Sequence, residues 1–434
     1  MRQDRFGLSV TTAATEALDA YVAGIDMLLS ANAGAEGLLT RAVELDPSFG
    51  LAWIALARAA QLAGRFDEAK AAAARARDCA PSLSEREQRH IEAIALAVNG
   101  EAARAQETIL TQLRDHPRDA LPLSLLLGVY GILSFSGRPD HHEAQRALLE
   151  MLAPHWNGDW WFLGYLGWSH AETGNPQSGA ALLERALSAN PRNAHGAHSR
   201  VHAHVELGES EAGAAFLRAW LPAYDRRSQL HPHLNWHLAL FELELGAPER
   251  AFERYGAAIR PAAASSAPMP TLADAASFLW RCNVYGVGPR PLPWAEVAAL
   301  AERAFPKTGL TFADLHAAMA AAATDAAALE RRIAELQRRS EDGTLPQGEV
   351  VPRLCRGLGS YGRGDYDEAA TQLDRAMPDL TRIAGSHAQR EVFEDTLIAA
   401  CMQSGRHARA RSLLSARLER RPSARDQAWL AQTS

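Results

Sequence analysis

The sequence predicts an all-α protein, a right-handed solenoid of paired helices with irregular helices capping its concave face, and three observations carry that prediction. Glycines recur at Gly64, Gly100, Gly137, Gly174, Gly208 and Gly246, 34 to 38 residues apart. Prolines recur at Pro47, Pro81, Pro117, Pro154 and Pro191, 34 to 37 residues apart. Two interleaved helix-ending marks per period mean two helices per period. Alanine and leucine fill the intervals at helical spacing.

A two-helix period near 34 residues is that of the tetratricopeptide unit. In the stretch from Leu45 to Pro81, Trp53, Leu56, Ala57 and Ala60 form one apolar face before Gly64, and a second helix starts near Phe66. Ala57, Ala69 and Ala76 are small enough to let the pair approach closely, while Asp46-Pro47 and Asn190-Pro191 stop helices because proline has no backbone donor. Similar units run over Arg86–Pro117, Trp160–Pro191, Ala194–Pro222 and Asn235–Pro261, giving an N-terminal repeat array over 1–261. Segment 262–348 has no clear repeat form. Its helices, around Leu272–Cys282 and Phe312–Arg338, are separated by the Pro/Gly-rich stretches 260–270, 286–293 and 340–352. Two further units, Arg353–Pro378 and Glu391–Pro422, make a C-terminal array over 349–434, expected to pack with the rest as one continuous solenoid.

Composition narrows the function. With 47% hydrophobic and 22% charged residues in 434, the chain has ample material for a core. A net charge of −6 without a basic stripe argues against nucleic acid as a partner. No window approaches 18 apolar residues, and MRQDRFGLSV lacks the apolar core of a signal peptide, so no membrane association and a cytoplasmic location are expected. Cys79, Cys282, Cys355 and Cys401 lie far apart without a CxxC pairing, which suits a reducing compartment. The absence of GxxxxGK[ST], GxGxxG and GxSxG excludes phosphate-loop enzymes and the usual serine hydrolases, and no cofactor is expected.

The densest polar anomaly is a pair of His-x-x-x-His spacings on successive helices, His198 with His202 and His233 with His237, with Trp236 beside the second. Spacing of four places each pair on one helix face. Three readings stand: an acid/base or substrate-orienting cluster, a metal site with Asp274 or Asp314 adding oxygen, or buried histidines bonded between helices. Asp274 and Arg281 lie two turns apart in one apolar segment, and Asp314 and His316 lie in another, where buried ionisable groups must find partners. They read either as part of a pocket or as a structural ion pair. Ser84 and Glu87 make a capping box. Gln389 and Arg390 open a helix and are candidates for holding an anion. Trp156, Trp160, Trp161 and Trp168 are core aromatics or an aromatic wall.

Seven ordered segments carry a full-length resemblance: GLSVTTAATEALDAY, LSEREQRHIEA, HSRVHAHVELG, HLNWHLALFELELG, LADAASFLWR, FADLHAAMA and SHAQREVF. With them the chain resembles the tetratricopeptide repeat protein 38 family. The resemblance implies a helical-repeat relative and names no reaction. Where family members often place a His-Asp pair, this chain has Leu127 and Gly128, while Tyr130 remains.

The resulting expectation is an enclosed His-rich pocket for a small polar or anionic metabolite. His198, His202, His237 and Asp314 are its acid/base candidates, and His233, Trp236, Asp274, Trp280, Arg281, His316, Gln389 and Arg390 its binding residues; no metal ligand is assigned. The alternatives are a scaffold holding a protein partner's peptide in an open groove, and a His/Asp metal-dependent enzyme.

Overall fold

The computed structural model describes residues 2–433. First helices of successive units begin at residues 15, 50, 85, 120, 160, 194, 231, 268, 311, 350, 387 and 424, so units are 34 to 43 residues long. Each first helix but the last is followed by a second, and neighbouring helices stack side by side into an all-α solenoid. The only strands among the described residues are a two-residue pair, Arg2–Gln3 with Ser9–Val10.

The glycine series marks the turn inside each helix pair. All six glycines have φ between 67° and 83°, a left-handed conformation in which any side chain is strained. The proline series marks the turn between units, and three tryptophans fasten it: the indole N–H groups of Trp53, Trp156 and Trp220 donate to the carbonyls of Pro47, Pro117 and Pro191, each at 3.0 Å. Close approach within a pair depends on missing side chains. A Cβ on Gly179 would lie 2.5 Å from the Gly167 carbonyl oxygen.

Segment 262–348 forms two helix pairs as well, Pro268–Val284 with Trp294–Ala304 and Thr311–Thr324 with Ala326–Glu341. Their spacing is what is irregular. The long loop 285–293 stretches one unit, and in the next the turn is made without glycine by Asp325, whose side chain accepts from the Ala328 N–H as a helix cap. The unit starting at 120 is broken: Ala120–Ser124 ends early, Gly128 turns at φ 79°, and the chain resumes helix only at Ile132–Phe135.

Both ends of the chain fold back onto the middle. Near the N-terminus, Ala194 N–H donates to Ser30 O at 3.0 Å and the Tyr224 hydroxyl donates to Ala31 O at 2.5 Å. Near the C-terminus, the helix His387–Gln403 packs against Pro268–Val284, and His387 N–H donates to Glu172 at 2.9 Å. One large apolar core gathers residues between 6 and 166, and another gathers residues between 236 and 410. Between them the helices Trp160–Glu172, Ala194–Leu207 and His231–Glu244 turn polar side chains inward.

Candidate functional site

The four imidazoles of His198, His202, His233 and His237 converge in that polar seam, each offering one ring nitrogen within 4.8 Å of the others. The i,i+4 spacing on two facing helices does this, since residues four apart share one helix face. His198 Nε2 lies 3.0 Å from His202 Nε2 and 3.2 Å from His237 Nε2. Carboxylates fix two of the rings from behind. His202 Nδ1 donates to Glu172 at 2.8 Å, and His233 Nδ1 donates to Asp274 at 2.8 Å. Those bonds put the protons on Nδ1 and leave bare lone pairs on Nε2, aimed at the centre. Trp236 stacks on His233 with ring centroids 5.1 Å apart and is held by its indole N–H on Ser277 Oγ at 3.1 Å.

Burial keeps His198 and His237 neutral, their pKa values well below the ordinary one, with the neighbouring imidazoles adding to the effect. Burial opposes the charge on Glu172, but attraction to His387 and the bond from His202 outweigh it and hold the carboxyl well below its usual range.

Arg58, Tyr165 and His195 lie beside the imidazoles, and Tyr130 lies near Asp274. Arg58, Tyr130, Tyr165, His195 and His198 are surrounded by protein, yet all keep accessible surface. Arg58 bonds Gln61 at 2.7 Å, and no carboxylate pairs with it among the described residues. Desolvation lowers its pKa to about 10. His195, facing Tyr165 at 5.6 Å, is pushed down to about 4 by burial and then by Arg58. Asp274 Oδ2, the Tyr130 hydroxyl, Gln389 Nε2 and His237 Nδ1 are buried without a hydrogen-bond partner, and Tyr130 lies near both Asp274 and Gln389.

The remaining sequence candidates have other partners. Asp274 and Arg281 do not bond each other: Asp274 holds His233, while Arg281 donates to the Ala388 carbonyl at 2.5 Å and lies 3.7 Å from Asp395. Arg281 thereby ties helix Pro268–Val284 to the C-terminal unit, over the Trp236 ring. Trp280 donates to Thr396 at 2.9 Å in the core. Asp314 pairs with Arg332 and accepts the Gly309 N–H at 2.8 Å, so it braces its own unit and does not join the imidazoles. His316 Nδ1 donates to the Phe312 carbonyl of its own helix at 2.6 Å. Gln389 completes a capping box with Ser386. Arg390 bonds the Gly385 carbonyl and His142, the latter at 3.0 Å.

Glu172, Arg58 and Tyr165 were not among the sequence candidates. Their signal is positional. Glu172 continues the inward stripe Trp161, Tyr165, Trp168 at helical spacing, and Arg58 continues Leu51 and Ile54, so each places a charge where an apolar side chain is expected.

No family model matches the chain. Among solved structures it is similar to a tetratricopeptide repeat protein from Parabacteroides merdae ATCC 43184, at 14% identity and TM-score 0.32, over 73% of this chain and 98% of that one. It is similar also to yeast Tom70, at 13% identity and TM-score 0.31, over 96% and 94% of the two chains. For the tetratricopeptide domain of P58(IPK) the identity is 12%, the TM-score 0.21, and the coverage 90% and 99%. At such values the fold assignment rests on the helix pairs of the chain itself.

Proposed function

We propose that this helical-repeat protein binds a small polar or anionic metabolite in the interior space between Arg58 and the four imidazoles. The observation that carries the reading is Arg58, a guanidinium deep in the protein, partly accessible, and without a carboxylate partner among the described residues. An unpaired buried charge is costly, and a carboxylate or phosphate on the ligand would balance it with bidentate hydrogen bonds. Proton transfer by the neutral imidazoles is the chemistry those rings can do unaided. The test is native purification followed by acid precipitation and mass spectrometry of the released small molecules. Wild-type protein should release an anionic compound that Arg58→Met, with unchanged near-UV circular dichroism, does not. Equal release from both would refute the reading.

The repeat architecture itself supports the alternative, a scaffold for a protein partner's peptide, expected in the concave groove; the exposed Phe66 and Met151, on helices Phe66–Cys79 and His141–Leu152, are further apolar contacts open to such a partner. A partner captured equally by wild type and Arg58→Met, and lost on Phe66→Asp with Met151→Asp, would favour it. We also propose, on the seven ordered segments, that the chain is a member of the tetratricopeptide repeat protein 38 family. Three buried free cysteines suit the cytoplasm, and among the described residues no helix is long and apolar enough to cross a membrane.

A further inference from the structure

The geometry points to a divalent first-row transition-metal ion held by the Nε2 atoms of His198, His202, His233 and His237, with Glu172 and Asp274 as the carboxylates behind two of the ligands. The inference is independent of the metabolite reading, because it rests on the imidazoles alone.

Proton counting carries it. His202 and His233 spend their single ring proton on Glu172 and Asp274, so their Nε2 atoms arrive at the centre bare. His198 Nε2 has two nitrogen neighbours, at 3.0 and 3.2 Å, and one proton at most to share. If it donates to His202, then His237 either turns a second N–H against it or leaves an N–H on its Nδ1, which has no partner. With all four rings neutral, every tautomer of the metal-free cluster thus leaves a buried donor unpaired or sets lone pair against lone pair, at about 1–3 kcal/mol for each unmet group. A cation removes the conflict by accepting every lone pair at once.

The dimensions come close. Metal–imidazole bonds of about 2.0–2.1 Å place tetrahedral nitrogens roughly 3.4 Å apart. The 3.0 and 3.2 Å pairs are a few tenths of an ångström shorter than that distance, and the wider separations, up to 4.8 Å, exceed even the roughly 4.1 Å between opposite ligands and close by rotation of a ring on metal binding. Four neutral imidazoles suit zinc, copper, nickel or iron over magnesium or calcium. The two positive charges would be matched by Glu172 and Asp274, the carboxylate–histidine–metal arrangement that fixes ring orientation at metal centres. With an ion in place, the centre's chemistry changes from proton transfer to Lewis-acid polarisation of whatever occupies the space beside it.

The test uses the full chain, stripped with chelator and titrated with Co²⁺ as probe, then with Zn²⁺ in competition. We expect one equivalent bound, visible d–d absorption showing nitrogen ligation, and loss of that absorption in His198→Ala with His237→Ala. Asp274→Asn keeps the shape of the site and should weaken affinity by about 10–100-fold. Arg58→Met should bind Co²⁺ as the wild type does, so that loss of metabolite and loss of metal are read separately. Stripped protein that stays folded by circular dichroism and binds less than about a tenth of an equivalent of Co²⁺ and Zn²⁺ would overturn the inference, as would affinity unchanged in Asp274→Asn.

Discussion

Replacing Glu172 by glutamine tests whether the interior polar groups are structural necessities or passengers. Glu172 is fully buried and accepts from two donors on different units, His202 Nδ1 at 2.8 Å and the His387 backbone N–H at 2.9 Å. A carboxylate serves both, having only acceptors. Glutamine has one oxygen, so its amide N–H₂ must face a donor whichever way it turns. The change removes the charge from two hydrogen bonds, each worth about 1.5–3 kcal/mol with a charged partner. Together these place the loss at about 3–5 kcal/mol, the range for breaking a buried ionic contact by removing one side. Urea unfolding followed by circular dichroism would measure it as a lower midpoint at unchanged slope. Amide exchange should also speed up over residues 381–390, because Glu172 holds the His387 backbone to the middle of the stack, leaving only the bond of the His387 ring to Glu206 at 3.0 Å. A loss below about 1 kcal/mol, with exchange unaltered there, would refute the reasoning.

Other expectations follow from the same geometry. Burial opposes the charge on Asp119, but attraction to His90 and Arg86 and bonds from His90 and Gln112 hold its carboxyl at about 2. A depressed carboxylate stabilises above its unfolded pKa of 3.8, and that contribution, about 2 kcal/mol, is lost as the pH falls toward 2. The stability gap between wild type and Asp119→Asn should therefore shrink between pH 5 and pH 3; a constant gap in acid titrations of unfolding would contradict this. Gly179→Ala drives a Cβ into the Gly167 carbonyl at 2.5 Å and Ala171 N at 3.0 Å, and should cost about 1–3 kcal/mol. Gly37→Ala, in the first turn of helix Ala35–Leu45 with nothing within 4 Å, should instead gain up to about 1 kcal/mol. Thermal melts showing the same sign for both would count against the packing described.

What the sequence reveals is what repeats. Gly64 to Gly246 and Pro47 to Pro191 announce the helix pairs because a left-handed turn and a helix stop each require one residue type. The signal fades over 262–348 because Asp325 makes by side-chain capping the turn that glycine makes elsewhere, and because the 285–293 loop stretches the spacing. The imidazole centre is legible for the same periodic reason, His198 with His202 and His233 with His237 each sharing a face. Its supporting groups are not. Glu172 and Arg58 are single charges on apolar stripes, and nothing local tells whether such a charge meets solvent or another unit far away in sequence. Asp314 shows the converse: an acidic residue in an apolar helix finds Arg332, eighteen residues away, and serves its own unit.

Crystals grown with one equivalent of zinc and measured above the zinc absorption edge would test the account where it is most exposed. The anomalous map should show a single strong peak about 2.1 Å from Nε2 of His198, His202, His233 and His237, with Glu172 and Asp274 still on the opposite ring nitrogens. No peak at that point, or imidazoles turned away from one another toward solvent, would contradict it.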